Sequence, residues 1–209
     1  MAAECGQVIG VVNYGIGNLR SVANALSAIG ADFQMIDDPK MLASCDKAIL
    51  PGVGAFGACT SALEAQGFRE PVLAHAAAGK PLLGICVGMQ MLAEQGTEFG
   101  NHAGLGLVPG TVVEIPRTSP DIRLPHVGWS ALKTTKDCPL LQKLPADSCA
   151  YFVHSYHFAA ADPSDVAAQV DYGSPVTAAV AKGAVFGVQF HPEKSQAVGL
   201  AILKNFAAL

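Results

Sequence analysis

Charged side chains are scarce in this chain of 209 residues: they make up 14%, whereas hydrophobic residues make up 51%. Soluble domains usually carry roughly 25% charged residues, so two interpretations stay open. Either a partner covers part of the surface, or the surface is rich in small neutral residues such as Ala and Gly. The 13 Lys and Arg form no cluster and the formal net charge is −4, which argues weakly against a nucleic-acid partner.

Membrane and export signals are also lacking. The most apolar stretch, residues 81–93, is too short to cross a bilayer and contains Gln90. The first seven residues, MAAECGQ, have no basic region before an apolar core and so do not resemble a signal peptide. The sequence therefore predicts a cytoplasmic protein with no membrane partner.

Paired cysteine motifs are absent as well. The six cysteines are scattered without CxxC spacing, so neither a zinc site nor a redox dithiol is indicated, and no metal is expected. Five of them are interpreted as ordinary small hydrophobes. These are Cys5, Cys45, Cys59, Cys138 and Cys149.

The order of apolar segments indicates the fold class. The length suits one sizeable core, and we expect one domain over residues 1–209 although two would fit. Strands are predicted at residues 8–13, 31–36, 47–50 and 82–85, with helices after the first and third, which indicates a mainly parallel α/β sheet covered on both sides. In such sheets, sites form at the carboxyl ends of the strands.

The second half changes character. Strand-like segments with turns between them predict antiparallel additions to the sheet, and an amphipathic helix is predicted over residues 195–208. The strand-like segments are residues 111–115, 126–132, 150–155, 166–170, 177–181 and 185–190.

The segment Gly84-Ile85-Cys86-Val87-Gly88 places a cysteine between glycines, after an apolar run and before a helix-like stretch. This is the pattern of a nucleophile elbow with Cys in place of Ser. A thiol at the start of a helix is favoured as the thiolate, because backbone N–H groups and the helix dipole stabilise negative charge there. Alone the pattern is weak, since buried cysteines beside glycines are common.

A second segment, His191-Pro192-Glu193, follows the last predicted strand. Pro192 favours an extended His191, and residues two apart on an extended segment point to the same side. Glu193 then accepts a hydrogen bond from one imidazole nitrogen while the other serves Cys86, as in a Ser-His-Asp triad. Both segments lie at the ends of predicted strands, where a common site can form. A catalytic triad is therefore favoured over a solvated Glu193 beside a structural His191.

Acyl transfer also needs N–H donors for the oxyanion of the tetrahedral intermediate. The Val87 amide, one residue past the nucleophile, is one candidate. The turn Pro51-Gly52-Val53-Gly54 follows a neighbouring strand, and Gly52 or Val53 is the candidate for the second donor. The alternative for this segment is a plain strand-to-helix turn.

These residues resemble a known family. GICVGMQ (84–90) with FHPEKS (190–195) looks like the class I glutamine amidotransferases, whose triad is Cys, His and Glu. NYGIGNLRSV (13–22), PHVGW (125–129) and YFVHSY (151–156) are similar to one branch, the glutaminase subunits of imidazole glycerol phosphate synthase. The match covers essentially the whole chain. It implies a three-layer, flavodoxin-like α/β fold.

By that resemblance, Cys86 attacks the side-chain amide of glutamine and His191 protonates the departing ammonia, while Glu193 orients the imidazole. Water then hydrolyses the glutamyl thioester, and no cofactor is implied. The implied substrate contacts are Gln90, Glu98 and the backbone of Ser155 and Tyr156.

Two interpretations of polar residues near this site stay open. Gln90 is either a substrate contact or a polar residue on an exposed helix face. Glu98 lies in a loop, so its assignment as a substrate contact also stays open. His154 and His157 receive no catalytic role. On one strand-like segment they would point to opposite sides, which argues against a shared metal.

The resemblance also implies a partner. Ammonia is mostly protonated in neutral water, so the family passes it through a tunnel to a (β/α)8-barrel cyclase subunit in a heterodimer. That subunit forms imidazole glycerol phosphate and an aminoimidazole carboxamide ribotide in histidine biosynthesis. Nothing in this chain resembles the barrel. The implied partner-facing residues are Asn13, Asn18, Trp129, Tyr151 and Lys194.

Three rivals stay open: another class I amidotransferase subunit, a stand-alone cysteine hydrolase of γ-glutamyl compounds, and a flavodoxin-like binding module without chemistry. Residues 13–22 and 125–129 argue against the first, low charge against the second and the triad against the third. The resemblance further implies that oxyanion geometry at Gly52 and Val53 is poor until the partner binds its ligand.

Overall fold

A computed structural model describes residues 7–209; Cys5 and the rest of the N-terminal segment MAAECGQ, apart from Gln7, lie outside this range. The strands, numbered along the chain, are β1 (Ile9–Val12), β2 (Phe33–Ile36), β3 (Lys47–Gly52), β4 (Leu82–Cys86), β5 (Gln95–Gly96), β6 (His102–Ala103), β7 (Gly110–Glu114), β8 (His126–Ala131), β9 (Lys133–Thr134), β10 (Cys149–His154), β11 (Tyr156–Ala160), β12 (Val166–Asp171), β13 (Pro175–Lys182) and β14 (Val185–Val188).

The helices are α1 (Leu19–Ala28), α2 (Phe56–Ala65), α3 (Arg69–Ala77), α4 (Val87–Gln90) and α5 (Gln196–Ala207). Short 3-10 turns occupy Pro39–Ser44, Pro139–Leu141, Pro163–Asp165 and Pro192–Lys194. Among these helices, none is both long and apolar enough to cross a membrane.

A central sheet has the strand order β2-β1-β3-β4-β14-β13-β12-β9. The five strands from β2 to β14 are parallel, and β13, β12 and β9 continue the sheet in antiparallel pairs. All residues of β1, β3, β4 and β14 are buried, and apart from Lys47 at the start of β3 their sequences are continuous apolar runs, as expected for strands covered on both faces. The predicted parallel sheet with antiparallel additions is confirmed.

The sequence places the strand near residue 185 among the antiparallel additions, and that expectation holds on one side only, where β14 is antiparallel to β13. β14 pairs in parallel with β4 and joins the buried centre of the sheet. All four residues of β14 are buried, as expected for a strand at the centre of a parallel sheet that is covered on both faces.

Helices cover both faces of the sheet. The crossovers from β1 to β2 and from β3 to β4 run in opposite directions from the sheet centre, so right-handed connections put α1 and the α2–α3 pair on opposite faces. α1 buries Val22, Ala25 and Leu26 and packs against α5, which forms where the sequence predicts an amphipathic helix. The sequence pattern does not predict α3. One domain over residues 1–209 stays a prediction.

Two smaller sheets lie beside the central one. β8 and β10 form an antiparallel ribbon, and β7 lies between β11 and β5 in a four-stranded sheet. The predicted strand over residues 150–155 ends at His154, because the chain bends at Ser155 and Tyr156 begins β11 in a different sheet. This bend lies beside the cavity described next.

The strand ends bring the motifs of the sequence together. In the parallel register, Gly52 at the end of β3 pairs with Cys86 at the end of β4. On the other side of β4, Val188 pairs with Ile85, so the segment that follows β14 reaches the same edge. The two turns and the His191 segment therefore converge at the carboxyl end of the sheet, as expected for parallel strands.

Candidate active site

Cys86 lies on a strained elbow between β4 and α4. Its φ of 55° and ψ of −114° lie outside the conformations that a non-glycine residue normally adopts. The flanking glycines allow this turn to pack tightly. A Cβ on Gly84 would lie 2.5 Å from the Gly88 carbonyl oxygen, and a Cβ on Gly88 would overlap the Leu50 carbonyl oxygen on β3.

His191 and Glu193 form a buried ion-pairing contact beside this elbow. The His191 Nδ1 atom is 2.7 Å from Glu193 Oε1, and both side chains are almost fully buried. The expected contact is present, but the expected extended geometry is only half right. His191 is extended, whereas Pro192–Lys194 is a 3-10 turn that folds Glu193 back toward the imidazole.

Electrostatics favour a protonated His191. Burial lowers the pKa of this imidazole, but hydrogen bonds and charge attraction from Cys86 and Glu193 outweigh burial and raise the pKa to about 9. Because Nδ1 faces Glu193, the Nε2 atom is the one left for the Cys86 sulfur. At neutral pH the His191 side chain is therefore an imidazolium beside the Cys86 sulfur.

Two further side chains fix the triad segment, and the sequence pattern does not reveal them. Ser195 Oγ donates to the His191 carbonyl at 2.6 Å and accepts from the Tyr151 N–H at 3.0 Å. Asn18, assigned by resemblance to a partner surface, donates from Nδ2 to Glu193 Oε1 at 3.3 Å. The contacts with Tyr151 and Asn18 join residues 44 and 175 positions apart in the chain, which local patterns do not indicate.

The turn after β3 is held from two sides. The Tyr14 hydroxyl donates to the Pro51 carbonyl at 2.8 Å, and Cys59 Sγ donates to the Val53 carbonyl at 3.2 Å. Burial raises the pKa of the Cys59 thiol, so this group keeps the proton that it donates. The segment is therefore more constrained than a plain strand-to-helix turn.

A cavity of about 260 Å³ opens at Cys86. It brings together most of the residues selected from the sequence. Those outside its lining are Glu193, which lies behind His191, and Gly52, Asn13, Asn18, Trp129 and Tyr151. The lining residues are Val53, Gly54, Cys86, Val87, Gln90, Glu98, Val153, His154, Ser155, Tyr156, His191 and Lys194.

Gln90 and Glu98 are both committed to protein contacts. Gln90 is only 3% exposed, so the alternative of an exposed helix face is wrong. Its Nε2 donates to the Tyr156 carbonyl and to Gln189 Oε1, each at 3.0 Å. Glu98 Oε2 accepts from the Phe56 N–H at 2.8 Å, at the start of α2.

Gln189 is a cavity neighbour that the sequence pattern does not reveal. It is fully buried, and its Nε2 lies 3.9 Å from Cys86 Sγ. A polar residue at the end of an otherwise apolar strand is the signal that could have found it.

An exposed apolar patch covers the outer face of the β8–β10 ribbon. Val127 is 56% exposed and Trp129 is 48% exposed, and Val153 lies opposite Val127 in the register. The Trp129 ring packs edge-on against Tyr151 at 5.9 Å between centroids. We call these four residues the ribbon patch. Because Val153 also lines the cavity, the patch reaches the cavity mouth.

Histidines near the cavity do not form a metal site. His154 and His157 belong to different strands, so the expectation based on one continuous strand is wrong in its geometry. Within residues 7–209, no group of three or more His, Cys, Asp or Glu side chains could hold a metal ion. The cysteines described beyond Cys86 are free, and three of the four are buried.

Residues 10–208 match the family model described as glutamine amidotransferase class-I. The chain is 46% identical over 203 residues to imidazole glycerol phosphate synthase subunit HisH of Syntrophotalea carbinolica, covering 95% of this chain and 98% of that protein. It is 47% identical over 203 residues to the HisH subunit of Salinibacter ruber, covering 95% of this chain and 93% of that protein.

Solved structures agree on the fold. The structure of PurLQS from Thermotoga maritima superposes with a TM-score of 0.77 at 20% identity, covering 96% of this chain and 97% of that one. A structure described as a glutamine amidotransferase gives a TM-score of 0.74 at the same identity. The family model and the two relatives, which match nearly the full chain, show that this protein belongs to the class I glutamine amidotransferases and, among them, to the family of imidazole glycerol phosphate synthase HisH subunits.

Proposed function

We propose that this chain hydrolyses L-glutamine to glutamate and ammonia through a glutamyl thioester on Cys86. The observation that carries the proposal is the strained Cys86 elbow, which faces a buried His191 whose other nitrogen lies 2.7 Å from Glu193. Family membership supports glutamine as the substrate.

The proposed chemistry has two halves. The Cys86 thiolate attacks the side-chain amide carbon of glutamine, and the tetrahedral intermediate collapses as the His191 imidazolium gives its proton to the departing nitrogen. Ammonia leaves and a thioester remains. Neutral His191 then takes a proton from water as the water oxygen attacks the thioester carbon, and collapse releases glutamate and the thiolate. Glu193 holds the imidazole in place throughout.

The oxyanion formed in each half needs backbone donors. We assign one to the Val87 N–H at the start of α4 and the other to the turn at Gly52 and Val53, which lies next to Cys86 in the sheet register. The bonds from Tyr14 and Cys59 to this turn support the assignment, because a donor must be held in place to stabilise developing charge.

The amino-acid end of glutamine is assigned to the far side of the cavity. We propose that the Glu98 carboxylate receives the α-ammonium group and that Gln90 contacts the substrate from α4. Backbone groups at Ser155 and Tyr156 would hold the α-carboxylate. All four residues line the cavity that contains Cys86, which supports this placement.

We propose that the ammonia passes to a synthase partner. In water at neutral pH it would be protonated and lose its nucleophilicity, so a direct route to a second site is needed. The relatives are named as subunits of imidazole glycerol phosphate synthase. The proposed partner is the (β/α)8-barrel cyclase subunit, in a heterodimer that forms imidazole glycerol phosphate and an aminoimidazole carboxamide ribotide for histidine biosynthesis.

The ribbon patch is the proposed centre of this docking surface. It is apolar, exposed and continuous with the cavity mouth, as an interface that shields ammonia requires. Asn13 and Lys194 are proposed to contact the partner beside it. Asn18 would link that surface to the triad, because it donates to Glu193.

Replacing Cys86 by Ala tests the two-site scheme. Glutamine-dependent synthesis by the complex should fall to background, because no thioester forms, while synthesis supplied with ammonium salt should continue. The assay follows formation of the ribotide product with each nitrogen source. Cys149→Ala, a free cysteine outside the cavity, should retain both activities. Loss of both activities in Cys86→Ala would contradict the scheme.

Replacing Glu193 by Gln tests the electrostatics of His191. In the native chain the imidazole should titrate near pH 9. Removing the carboxylate removes a charge that stabilises the imidazolium, so the titration should move to lower pH, and kcat should fall by about 10²-fold or more. NMR of the imidazole signals measures the first effect. Glu70→Gln, at an exposed position on α3, should change neither. An unchanged titration would remove Glu193 from the proposed role.

Replacing Trp129 by Ala tests the ribbon patch. A large aromatic residue at the centre of an interface often contributes about 2 kcal/mol, so the dissociation constant of the complex should rise about 30-fold. Calorimetric titration with the synthase partner measures this value. Met41→Ala removes another exposed large side chain, outside the patch, and should leave affinity unchanged. Equal affinity of the Trp129 variant and the native chain would place docking elsewhere.

A further inference from the structure

Two buried histidines form a hydrogen-bonded pair behind the cavity. His126 Nδ1 lies 3.1 Å from His154 Nε2. The outer nitrogens are also occupied, because His126 Nε2 lies 2.9 Å from Ser130 Oγ and His154 Nδ1 lies 2.9 Å from the Tyr156 carbonyl. Both side chains are buried. The four groups form one continuous chain from β8 to the start of β11.

The carbonyl at one end fixes the direction of every proton in this chain. A carbonyl only accepts, so His154 Nδ1 carries a hydrogen and its Nε2 is the acceptor. His126 Nδ1 must then carry a hydrogen, and its Nε2 accepts from the Ser130 hydroxyl. Burial lowers the pKa of His126, and it lowers that of His154 to about 3, so both rings are neutral at pH 7 as this order requires.

Aromatic packing holds the His126 end of this hydrogen-bond chain in position. The His126 ring lies between two aromatic rings, stacked on Phe152 at 5.0 Å and on Tyr172 at 4.1 Å between centroids. The Tyr172 hydroxyl donates to the Arg123 carbonyl at 2.7 Å, which holds this ring in turn. His126 therefore has little freedom to move away from His154.

The other end of this hydrogen-bond chain is the carbonyl of Tyr156, a residue that lines the cavity. The Tyr156 carbonyl accepts from His154 Nδ1 and from Gln90 Nε2, so two side chains from different elements hold the backbone where the chain bends at Ser155. His154 itself lines the cavity with Ser155 and Tyr156. A small shift of this carbonyl would move the adjoining backbone groups.

We infer that His126 and His154 are positioning residues for substrate: their hydrogen-bond chain sets the backbone geometry that receives the glutamine carboxylate. The inference rests on the proposed function for the assignment of that carboxylate to Ser155 and Tyr156. Neither histidine takes part in proton transfer at Cys86. Breaking this hydrogen-bond chain should therefore weaken the binding of glutamine and leave the chemical steps at Cys86 intact.

The assignment of the imidazole protons in His126 and His154 can be tested without an activity assay. Imidazole nitrogen NMR of the chain labelled with ¹⁵N at histidine should show His126 and His154 both neutral and both protonated on Nδ1 at pH 7. Protonation of either ring on Nε2 would overturn the inference. This result is independent of whether the chain is a glutaminase.

The positioning role is tested by His126→Phe, which keeps a flat ring between Phe152 and Tyr172 but removes the donor to His154. In the complex with the synthase partner, the KM for glutamine should rise about tenfold with kcat within about threefold. His126→Asn, whose amide nitrogen replaces Nδ1, should recover most of the loss. Thermal unfolding of both variants reports their folded fraction.

The outcomes separate the possible failures. An unchanged KM in His126→Phe, or a lower kcat at native KM, would overturn the positioning role, because a merely structural defect reduces the amount of active protein. Failure of His126→Asn to recover KM while the Phe variant loses it would also overturn the hydrogen-bond explanation. Absence of glutamine hydrolysis in the native complex would instead refute the proposed function, leaving the NMR result to decide the proton order.

Discussion

The close packing of α4 against the ends of β3 and β4 is the constraint on which the site depends. Gly84 and Gly88 permit it, since a Cβ at either position would meet backbone of the neighbouring segment. The result is a left-handed φ at Cys86, which turns the chain sharply at the end of a buried strand. Such local strain persists only where a folded core with many contacts offsets it.

A second constraint is the number of elements that hold the triad segment. Asn18, which precedes α1, and Tyr151, on the ribbon, are both hydrogen-bonded to the His191 to Ser195 segment, and this segment leads directly into α5. The outer face of the same ribbon carries the ribbon patch, and its inner face carries His126 and His154. A partner on the patch would therefore contact the strands that also position the His191 segment and the cavity wall.

Much of the fold could be predicted because continuous apolar runs identify buried parallel strands, and parallel strands bring their ends together. The same reasoning predicts that Cys86 and His191 lie close to each other. It fails where tertiary contacts override local pattern: the bend at Ser155, the parallel pairing of β14, and the bond from Asn18 to a residue 175 positions away. Burial of Gln90 is also invisible in the sequence, because a short helix shows too little periodicity to identify its buried face.

The central claim is that Cys86 carries the glutamyl group. The most direct measurement is mass spectrometry of the complex quenched with acid during glutamine turnover. The account predicts that the peptide containing Cys86 gains the mass of a glutamyl acyl group, in an amount that falls as glutamine is exhausted. An adduct on another of the five free cysteines of residues 7–209, or rapid glutamate formation with no adduct at all, would contradict it.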